Sequence, residues 1–241
     1  ALLRVKLQRA RFVNCISTWH RAFYQDLVPR PDAVYPVVRC GVDLDEFAPT
    51  ERTPGQPPVL LGVGRLVAKK GFDVLLEAAA RLRARGQAFT VRIAGDGPES
   101  ERLSAQCARL GLGDCVHFLG ACPNPLVRKL LQETDVFVLP CQIDREGDRD
   151  GIPVVLMEAM AAGVPVVSGA LPALRELVIP GRTGELVQPG DVEALAERLA
   201  ILLQDPELRA KRAKAGRLWV AEEFALDVNI HRIVNMLQKK T

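Results

Sequence analysis

Apolar positions along the chain follow two patterns that alternate from residue 59 onward. Short apolar runs typical of buried parallel strands are separated by longer segments in which apolar residues recur every three or four positions, as on one helix face. The predicted strands span residues 59–63, 90–94, 116–119, 136–139, 164–167 and 185–187. The predicted helices span residues 72–85, 98–110, 125–132, 153–162, 173–177, 191–203, 206–222 and 227–238. This alternation predicts an α/β fold with a doubly wound parallel sheet of the Rossmann-like kind and right-handed crossovers.

The first 50 residues show a weaker pattern. Residues 12–16 and 34–38 are strand candidates, and Thr18 is a candidate N-cap of a helix that continues to about Leu27. One or two strands cannot form an independent sheet, so this segment is expected to need a partner. Residues 50–58 contain three prolines and one glycine and predict a linker. Because the chain does not begin with Met, we expect it to be a fragment of a longer protein.

Composition excludes several classes of protein. A net charge of +3 without an aromatic-rich basic patch argues against nucleic-acid binding. The six cysteines are scattered and form no Cys-x-x-Cys pair, so we expect reduced thiols in a cytosolic protein. The sequence has no uninterrupted apolar run long enough to span a membrane and no signal peptide. It also lacks a Ser-His-Asp set, a zinc-ligand spacing and a Walker loop, and one of its dispersed histidines, His117, is expected to pack within a strand.

The longest apolar stretch contains a single charged residue. Every position from Ile152 to Val167 is apolar or small except Glu158. Pro153 suits the first turn of a helix and Gly163 its end, which places Glu158 in the middle of a buried segment. A buried carboxylate needs hydrogen-bond donors. Two interpretations are open: a structural ion pair with Lys or Arg, or ligand hydroxyls held beside the free N–H groups at the helix start, residues 151–154.

The loop after the first predicted strand carries candidate phosphate-binding chemistry. Glycines such as Gly64 let the backbone approach a ligand closely, while Arg65 offers a planar fork and Lys70 a point charge for phosphate. A tight turn with solvated basic side chains would account for the same residues. A dinucleotide fingerprint is excluded, because Val67 stands in place of its third glycine and the expected acidic residue is lacking.

Two further loops follow predicted strands. Residues 94–98 predict a turn into a helix that begins at Pro98. Residues 144–151 are acidic and imitate the first half of a calcium-binding loop, but Met157 stands where the last ligand would be. A calcium site is therefore not expected, and we interpret this segment as a mobile loop at the mouth of the site.

The ordered motifs resemble those of the retaining glycosyltransferases of family 4, which have the two-domain B-type fold. The resemblance runs from about residue 12 to 224 and rests on the segments Gly64-Arg65-Leu66…Lys70-Gly71, 94–98, 116–120 and 150–159. It implies that residues 51–225 form the nucleotide-sugar donor-binding domain. Residues 1–50 would be a remnant of the N-terminal acceptor domain with the interdomain segment, and residues 226–241 a helix that crosses back to that domain. Most of the acceptor domain, including its glycine-rich loop and a histidine near the sugar, would be missing here.

The resemblance also assigns roles to single residues. Arg65 and Lys70 would clamp the donor diphosphate, Glu158 would hold the ribose hydroxyls, and the backbone of residues 151–154 would meet the sugar and distal phosphate. Asp150 replaces the Glu that the family usually has, and it is one methylene shorter. The predicted catalytic residues are Arg65, Lys70 and Asp150. The predicted donor-binding residues are Gly64, Arg65, Lys70, Gly95, Gly120, Asp150, Gly151, Ile152, Pro153, Val154 and Glu158.

By this resemblance the protein transfers a hexose from a UDP- or GDP-linked sugar to a carbohydrate or lipid-linked acceptor. Relatives that also read Asp-Gly-Ile-Pro-Val-Val favour a role in exopolysaccharide or cell-surface polysaccharide synthesis. No metal or cofactor is expected, since Arg65 and Lys70 can stabilise the leaving diphosphate. The alternatives are a non-catalytic sugar-nucleotide-binding module and, less favoured, a dehydrogenase-type dinucleotide binder. The expected location is cytoplasmic, with room for peripheral contact of the full-length protein at the inner face of the membrane. The fragment alone is expected to be inactive.

Overall fold

A six-stranded, all-parallel sheet forms the centre of the computed structural model, which describes residues 2–50 and 57–238. The strands are β1 (Val59–Val63), β2 (Thr90–Ala94), β3 (Val116–Gly120), β4 (Val136–Leu139), β5 (Val166–Gly169) and β6 (Glu185–Val187). Their order is β3-β2-β1-β4-β5-β6, so the chain reverses its direction across the sheet between β1 and β4. In such sheets ligands bind beyond the carboxyl ends of the strands near this switch point.

Helices cover the sheet on both faces. In chain order they are α1 (Leu2–Arg9), α2 (Thr18–Leu27), α3 (Phe72–Ala84), α4 (Ser100–Arg109), α5 (Asn124–Gln132), α6 (Val154–Ala161), α7 (Leu174–Leu177), α8 (Val192–Gln204), α9 (Pro206–Glu223) and α10 (Leu226–Gln238). From residue 57 onward, the predicted boundaries of strands and helices agree with these within two residues. β5 starts later than predicted because Pro165 has no N–H to donate to the ladder.

The central strands are buried because both of their faces are covered. Every residue of β4 and all but the last of β1 are buried, which explains their uninterrupted apolar sequence. The edge strand β3 differs, since Val116 is buried but His117 and Leu119 are exposed. The prediction that His117 packs inside the protein is therefore wrong: its side chain points away from the core at an open edge of the sheet.

The N-terminal segment has its own small core, formed by Leu7, Cys15, Val28 and Tyr35. The two predicted strands, residues 12–16 and 34–38, are wrong. The two segments lie side by side and form one parallel bridge between Cys15 and Val37, with Cys15 N–H donating to Pro36 O at 2.9 Å. The 3-10 helix at residues 32–34 keeps the pairing from extending into a longer ladder. Ser17, rather than Thr18, caps α2, and its side chain accepts the N–H of His20. Helix α1 was not predicted.

The segment between the two parts of the chain docks against the start of α10. Val42 N–H donates to Phe224 O at 2.8 Å, and Leu226 N–H donates to Val42 O at 3.0 Å. Helix α10 leaves Leu226, Ile230, Val234 and Leu237 exposed. Most of the predicted linker, residues 51–56, lies outside the described residues. Among those that are described, no helix combines the length and the apolar character needed to cross a membrane.

Candidate functional site

Three glycines that were predicted to bind the donor, Gly64, Gly95 and Gly120, lie together at the carboxyl ends of neighbouring strands. Gly95 N–H donates to Gly120 O at 2.7 Å, and Gly64 N–H donates to Ala94 O at 3.0 Å. A methyl group on Gly95, whose φ is +149°, would lie 1.9 Å from Gly64 O, so this position requires glycine. A cavity of about 260 Å³ opens here, lined by Val63, Gly64, Ala94, Gly95, Asp96, Ala121 and Cys122. The glycines therefore shape a recess at the strand ends.

The loop that carries Arg65 is anchored by its backbone. The N–H of the buried Leu66 donates to Asp96 O at 2.9 Å, and Leu66 O accepts the N–H of Glu99 at 3.0 Å. A methyl group on Gly97 would lie 2.5 Å from Leu66 O, which explains the second glycine of the Gly-Asp-Gly turn. The guanidinium of Arg65 itself is exposed and makes no hydrogen bond or ion pair with residues 2–50 or 57–238. It is a free cation on a fixed backbone.

Lys70 and Asp150, predicted from distant parts of the sequence, form an ion pair beside Gly64. Lys70 Nζ lies 2.9 Å from Asp150 Oδ2, and the two side chains are only 15% and 12% exposed. The stem of Lys70 passes 3.6 Å from the place of a methyl group on Gly64. Asp150 also accepts the thiol of Cys141 at 3.4 Å and lies 3.8 Å from Lys69 Nζ. The short Asp150 side chain is thus held by several donors, and it fixes the ammonium of Lys70 at the strand ends.

Glu158 lies in the middle of α6 in a very different environment. It is half-buried, and within the described chain its carboxylate accepts no hydrogen bond and meets no cation within ion-pair distance. Burial raises the pKa of Glu158, and the nearby charge of Glu46 raises it further. Glu46 is itself paired with Arg128. The structural ion pair that would have explained Glu158 is therefore absent from the residues described, and its acceptor sites remain open.

Helix α6 begins one residue after its predicted start at Pro153. Pro153 stands at the N-cap position and Val154 is the first helical residue, with no side chain capping the first turn. Ile152 and Pro153 are buried, whereas Val154 is 46% exposed. Uncapped N–H groups and the positive end of the helix dipole make this a place that favours an anion.

The acidic loop, residues 144–151, makes several hydrogen bonds and ion pairs. Asp144 Oδ1 accepts the N–H groups of Glu146 and Asp148 at 3.0 and 2.9 Å. Lys69 Nζ lies 2.8 Å from Asp148 Oδ2, and the guanidinium of Arg149 stands 5.6 Å from the ring centre of Trp19. No cluster of His, Cys, Asp and Glu within the described ranges could hold a metal ion.

Sequence analysis missed the contribution of the N-terminal segment. A methyl group on Gly151 would lie 3.0 Å from Cε1 of His20 and 3.1 Å from Cδ1 of Ile16, so α2 packs directly over the entrance to α6. Glu176 fixes this arrangement, because its carboxylate accepts the N–H and the hydroxyl of Thr18 at 3.1 and 2.6 Å. No local pattern signals these contacts between residues so far apart in sequence.

Comparison with known proteins places these features in a family. A model of the glycosyl transferases group 1 matches residues 44–219. The putative colanic acid biosynthesis glycosyltransferase WcaL of Escherichia coli K12 is 40% identical over 204 residues, which is 84% of this chain and 50% of that protein. The amylovoran biosynthesis glycosyltransferase AmsK of Erwinia amylovora is 35% identical over the same shares of both chains. A GDP-mannose-dependent phosphatidylinositol monomannoside mannosyltransferase of Mycolicibacterium smegmatis is 34% identical over 217 residues, covering 86% of this chain and 57% of the relative.

Solved structures agree in fold. Anabaena Alr3699/HepE, crystallised with UDP and glucose, superposes with a TM-score of 0.84 at 22% identity over 98% of this chain and 65% of that one. Sucrose-phosphate synthase from Thermosynechococcus elongatus gives a TM-score of 0.87 at 26% identity over 99% of this chain and 60% of the other. The chain spans about half the length of the curated relatives it matches. With the family model covering most of its length, the chain belongs to the group 1 glycosyltransferases.

Proposed function

We propose that this chain is the donor-binding part of a retaining glycosyltransferase that uses a nucleoside-diphosphate sugar. The observation that carries the proposal is the Lys70–Asp150 pair, which stands between the glycine-lined strand ends and the uncapped N-terminus of α6. This arrangement offers a cation and free N–H groups to a diphosphate. Relatives named for colanic acid and amylovoran synthesis support a role in exopolysaccharide synthesis, with a carbohydrate or lipid-linked acceptor.

The reaction would separate a nucleoside diphosphate from the anomeric carbon through an oxocarbenium-like transition state. Negative charge then grows on the leaving diphosphate, where Lys70, Arg65 and the α6 dipole stabilise it more strongly than they stabilise the bound donor. Asp150 keeps Lys70 in place through Oδ2, and its Oδ1 would accept a hydroxyl of the sugar. Because Asp150 is engaged by Lys70, it is a poor nucleophile. We therefore propose that the leaving phosphate accepts the acceptor's proton and that the acceptor attacks from the same face.

Glu158 would hold the ribose. Its half-buried carboxylate has open acceptor sites, and a pair of vicinal hydroxyls could donate to both of its oxygens. The recess at Gly64 and Gly95 would take the rest of the nucleotide. With Arg65 and Lys70 supplying positive charge, the proposal includes neither a metal nor a cofactor.

Binding measurements can identify the nucleotide base of the donor. The HepE crystals contain UDP or UDP-glucose, and the mycobacterial relatives are named for GDP-mannose. Calorimetric titration of this chain with UDP, GDP and ADP would test the proposal. We expect saturable binding of one of the first two and loss of most of that affinity in Lys70→Ala. Failure of all three to bind would overturn the proposed function.

A non-catalytic sugar-nucleotide-binding module is the second candidate, favoured by the coverage of about half of each relative. The two candidates differ in turnover and not in binding. Transfer of radiolabelled sugar to lipid-linked oligosaccharide, with the chain and with a protein that also carries an acceptor domain, separates them. We expect little or no transfer by the chain alone. The cytoplasmic location, with contact at the inner face of the membrane, stays a prediction that cell fractionation can test.

A further inference from the structure

We propose that His20 is a specificity residue of the donor site, whose Nε2–H donates a hydrogen bond to a hydroxyl of the donor sugar. The inference rests on the proposed function, because it needs a sugar nucleotide in the site described above. It adds a residue from the N-terminal segment to a set of ligands that otherwise comes from residues 64–158.

The position of His20 is fixed from two sides. Helix α2 is held to the sheet domain by Glu176, which accepts the N–H and the hydroxyl of Thr18 and pairs with Arg39 at 3.2 Å. The ring of His20 stands edge-on to Trp19, with 5.0 Å between ring centres. The ring therefore lies over Gly151 in a defined orientation, at a distance that only glycine permits without displacement.

The neighbouring serine decides which ring nitrogen carries the proton. Ser17 Oγ lies 2.7 Å from His20 Nδ1 and accepts the backbone N–H of His20 at 3.2 Å. Ser17 is fully buried, so its hydroxyl proton needs an acceptor, and Nδ1 is the partner the structure offers. Nδ1 is then the acceptor, and the proton of the neutral ring sits on Nε2.

Nε2 is left as a donor that faces the site. It lies 3.4 Å from the place of a methyl group on Gly151 and has no hydrogen-bond partner in the described part of the chain. Burial lowers the pKa of His20, against the opposing effect of Glu176, so the ring is neutral near pH 7. A neutral N–H suits a hydroxyl, which can both accept and donate.

The sugar is the part of the donor that reaches His20. An anion at the first turn of α6 would meet the N–H groups from Val154 onward, whereas Gly151 stands three residues before the helix. A group attached beyond the distal phosphate would then lie beside Gly151, at the edge of the His20 ring that carries Nε2. The nucleoside would then lie on the other side of the phosphates, where the proposed function places it at Gly64 and Glu158.

The test compares a nucleotide with its sugar-bearing form. UDP and UDP-glucose, or GDP and GDP-mannose, are titrated into the chain and into His20→Ala, His20→Phe and His20→Gln, with His117→Ala as the control for loss of a histidine at an exposed site. We expect His20→Ala and His20→Phe to weaken the sugar nucleotide about three- to tenfold, the range of a neutral hydrogen bond, and to leave the plain nucleotide unchanged. His20→Gln keeps a donor and should recover part of the loss.

His20→Phe keeps the ring over Gly151, so it decides the question even if His20→Ala melts early. Equal losses for nucleotide and sugar nucleotide, or no loss for either, would overturn the role of His20. If the plain nucleotide binds and Lys70→Ala abolishes its binding while His20 variants do not discriminate, only this inference fails. If the unaltered chain binds neither ligand, the proposed function and this inference fall together.

Discussion

Two acidic side chains at the candidate site stand eight residues apart and meet opposite environments. At the entrance to α6, Asp150 is held by Lys70 at 2.9 Å, by Cys141 and, at longer range, by Lys69. In the middle of the same helix, Glu158 is half-buried and none of the described residues donates to it. The carboxylate of Asp150 is paired within the protein, whereas the carboxylate of Glu158 is available to accept hydrogen bonds from a ligand.

This difference in hydrogen-bond partners separates residues that hold the site together from residues that are available to bind a ligand. Removing one member of a buried ion pair leaves the other charge uncompensated, so the substitution lowers the free energy of unfolding. A desolvated carboxylate without donors already lowers the stability of the fold, so its loss appears in binding. We expect the loss of Asp150 or Lys70 to lower stability, in addition to the loss of diphosphate affinity in Lys70→Ala, and the loss of Glu158 to lower binding alone. The following experiments test that contrast.

The largest change in stability should come from Lys70→Ala. It leaves the carboxylate of Asp150, only 12% exposed, without its closest cation, and we expect a loss of about 3 kcal/mol in the free energy of unfolding. Lys69 remains 3.8 Å away and keeps the loss at the lower end for a broken buried pair. Urea denaturation measures it.

Lys69→Ala is the matched control, because Lys69 pairs with Asp148, whose side chain is 60% exposed. A surface pair of this kind contributes less than about 1 kcal/mol. Equal losses for the two lysines would show that the Lys70–Asp150 pair is solvated, and the contrast with Glu158 would disappear. The variant Asp150→Asn completes a double-mutant cycle with Lys70→Ala, in which we expect clear coupling.

Glu158→Gln should act in the opposite direction on stability. The amide keeps the shape of the side chain and removes a desolvated charge, so the free energy of unfolding should hold or rise by up to about 1 kcal/mol. Affinity for uridine or guanosine, and for their diphosphates, should fall by about 1.5–3 kcal/mol, the value of a hydrogen bond to a charged group. If the Glu158→Gln variant melts at a lower temperature and binds its nucleotide normally, Glu158 has a structural role and does not bind the ligand.

The pH dependence of the melting temperature tests the environment of Glu158 more directly. The pKa of Glu158 is higher in the folded chain than its ordinary value of 4.5, so its contribution to stability is full below pH 4.5 and is lost as the pH rises through the folded-state pKa. The difference in melting temperature between Glu158→Gln and the unaltered chain should therefore grow in favour of the variant over that window. A difference that stays constant with pH would contradict the assigned cause.

His20 should titrate with the opposite sign. Burial lowers its pKa below the ordinary 6.5, so its contribution is present above pH 6.5 and is lost as the pH falls through the folded-state value. The negative charge of Glu176 partly offsets this effect on the pKa of His20. In a His20→Phe variant, the fall in melting temperature between pH 7 and pH 5 should be smaller than in the unaltered chain. An equal fall would show that His20 does not titrate in this range.

Much of the sheet domain could be predicted because its signals are local. The strands β1 and β4 are buried on both faces and read as continuous apolar runs, and Pro153 marks the start of α6 within one residue. The glycines, Arg65, Lys70 and Glu158 could also be proposed as site residues, because each stands in a short motif. Each of these features depends on residues close together in sequence, where periodicity and turn chemistry carry the information.

The rest depends on contacts between distant positions. Residues 12–16 and 34–38 have the composition of strands, yet they pair with each other at a single bridge, because the 3-10 helix at residues 32–34 interrupts the extended chain. The contacts of Glu176 with Thr18 and of His20 with Gly151 join segments that no pattern connects. The pairing of Lys70 with Asp150 was likewise invisible, although both residues were predicted at the site.

Arg65→Ala should produce the smallest change in stability. Arg65 is the cationic counterpart of Glu158, since its guanidinium is exposed and finds no partner among residues 2–50 and 57–238. Its backbone is fixed through Leu66, which the substitution leaves in place. We expect the free energy of unfolding to change by less than about 0.5 kcal/mol, while affinity for UDP or GDP falls by about 1.5–3 kcal/mol and affinity for the free nucleoside stays the same.

Arg198→Ala provides the comparison for Arg65→Ala, because Arg198 is also exposed and lies on α8, away from the strand ends that form the site. If Arg65 acts only through the general charge of the surface, both variants should weaken the diphosphate by the same small amount, and added salt should abolish the effect in each. If Arg65 binds the diphosphate directly, its loss should exceed that of Arg198 and persist at high salt. Titration of both variants with the diphosphate and the nucleoside, at low and at high salt, therefore separates a ligand-binding cation from a solvated one.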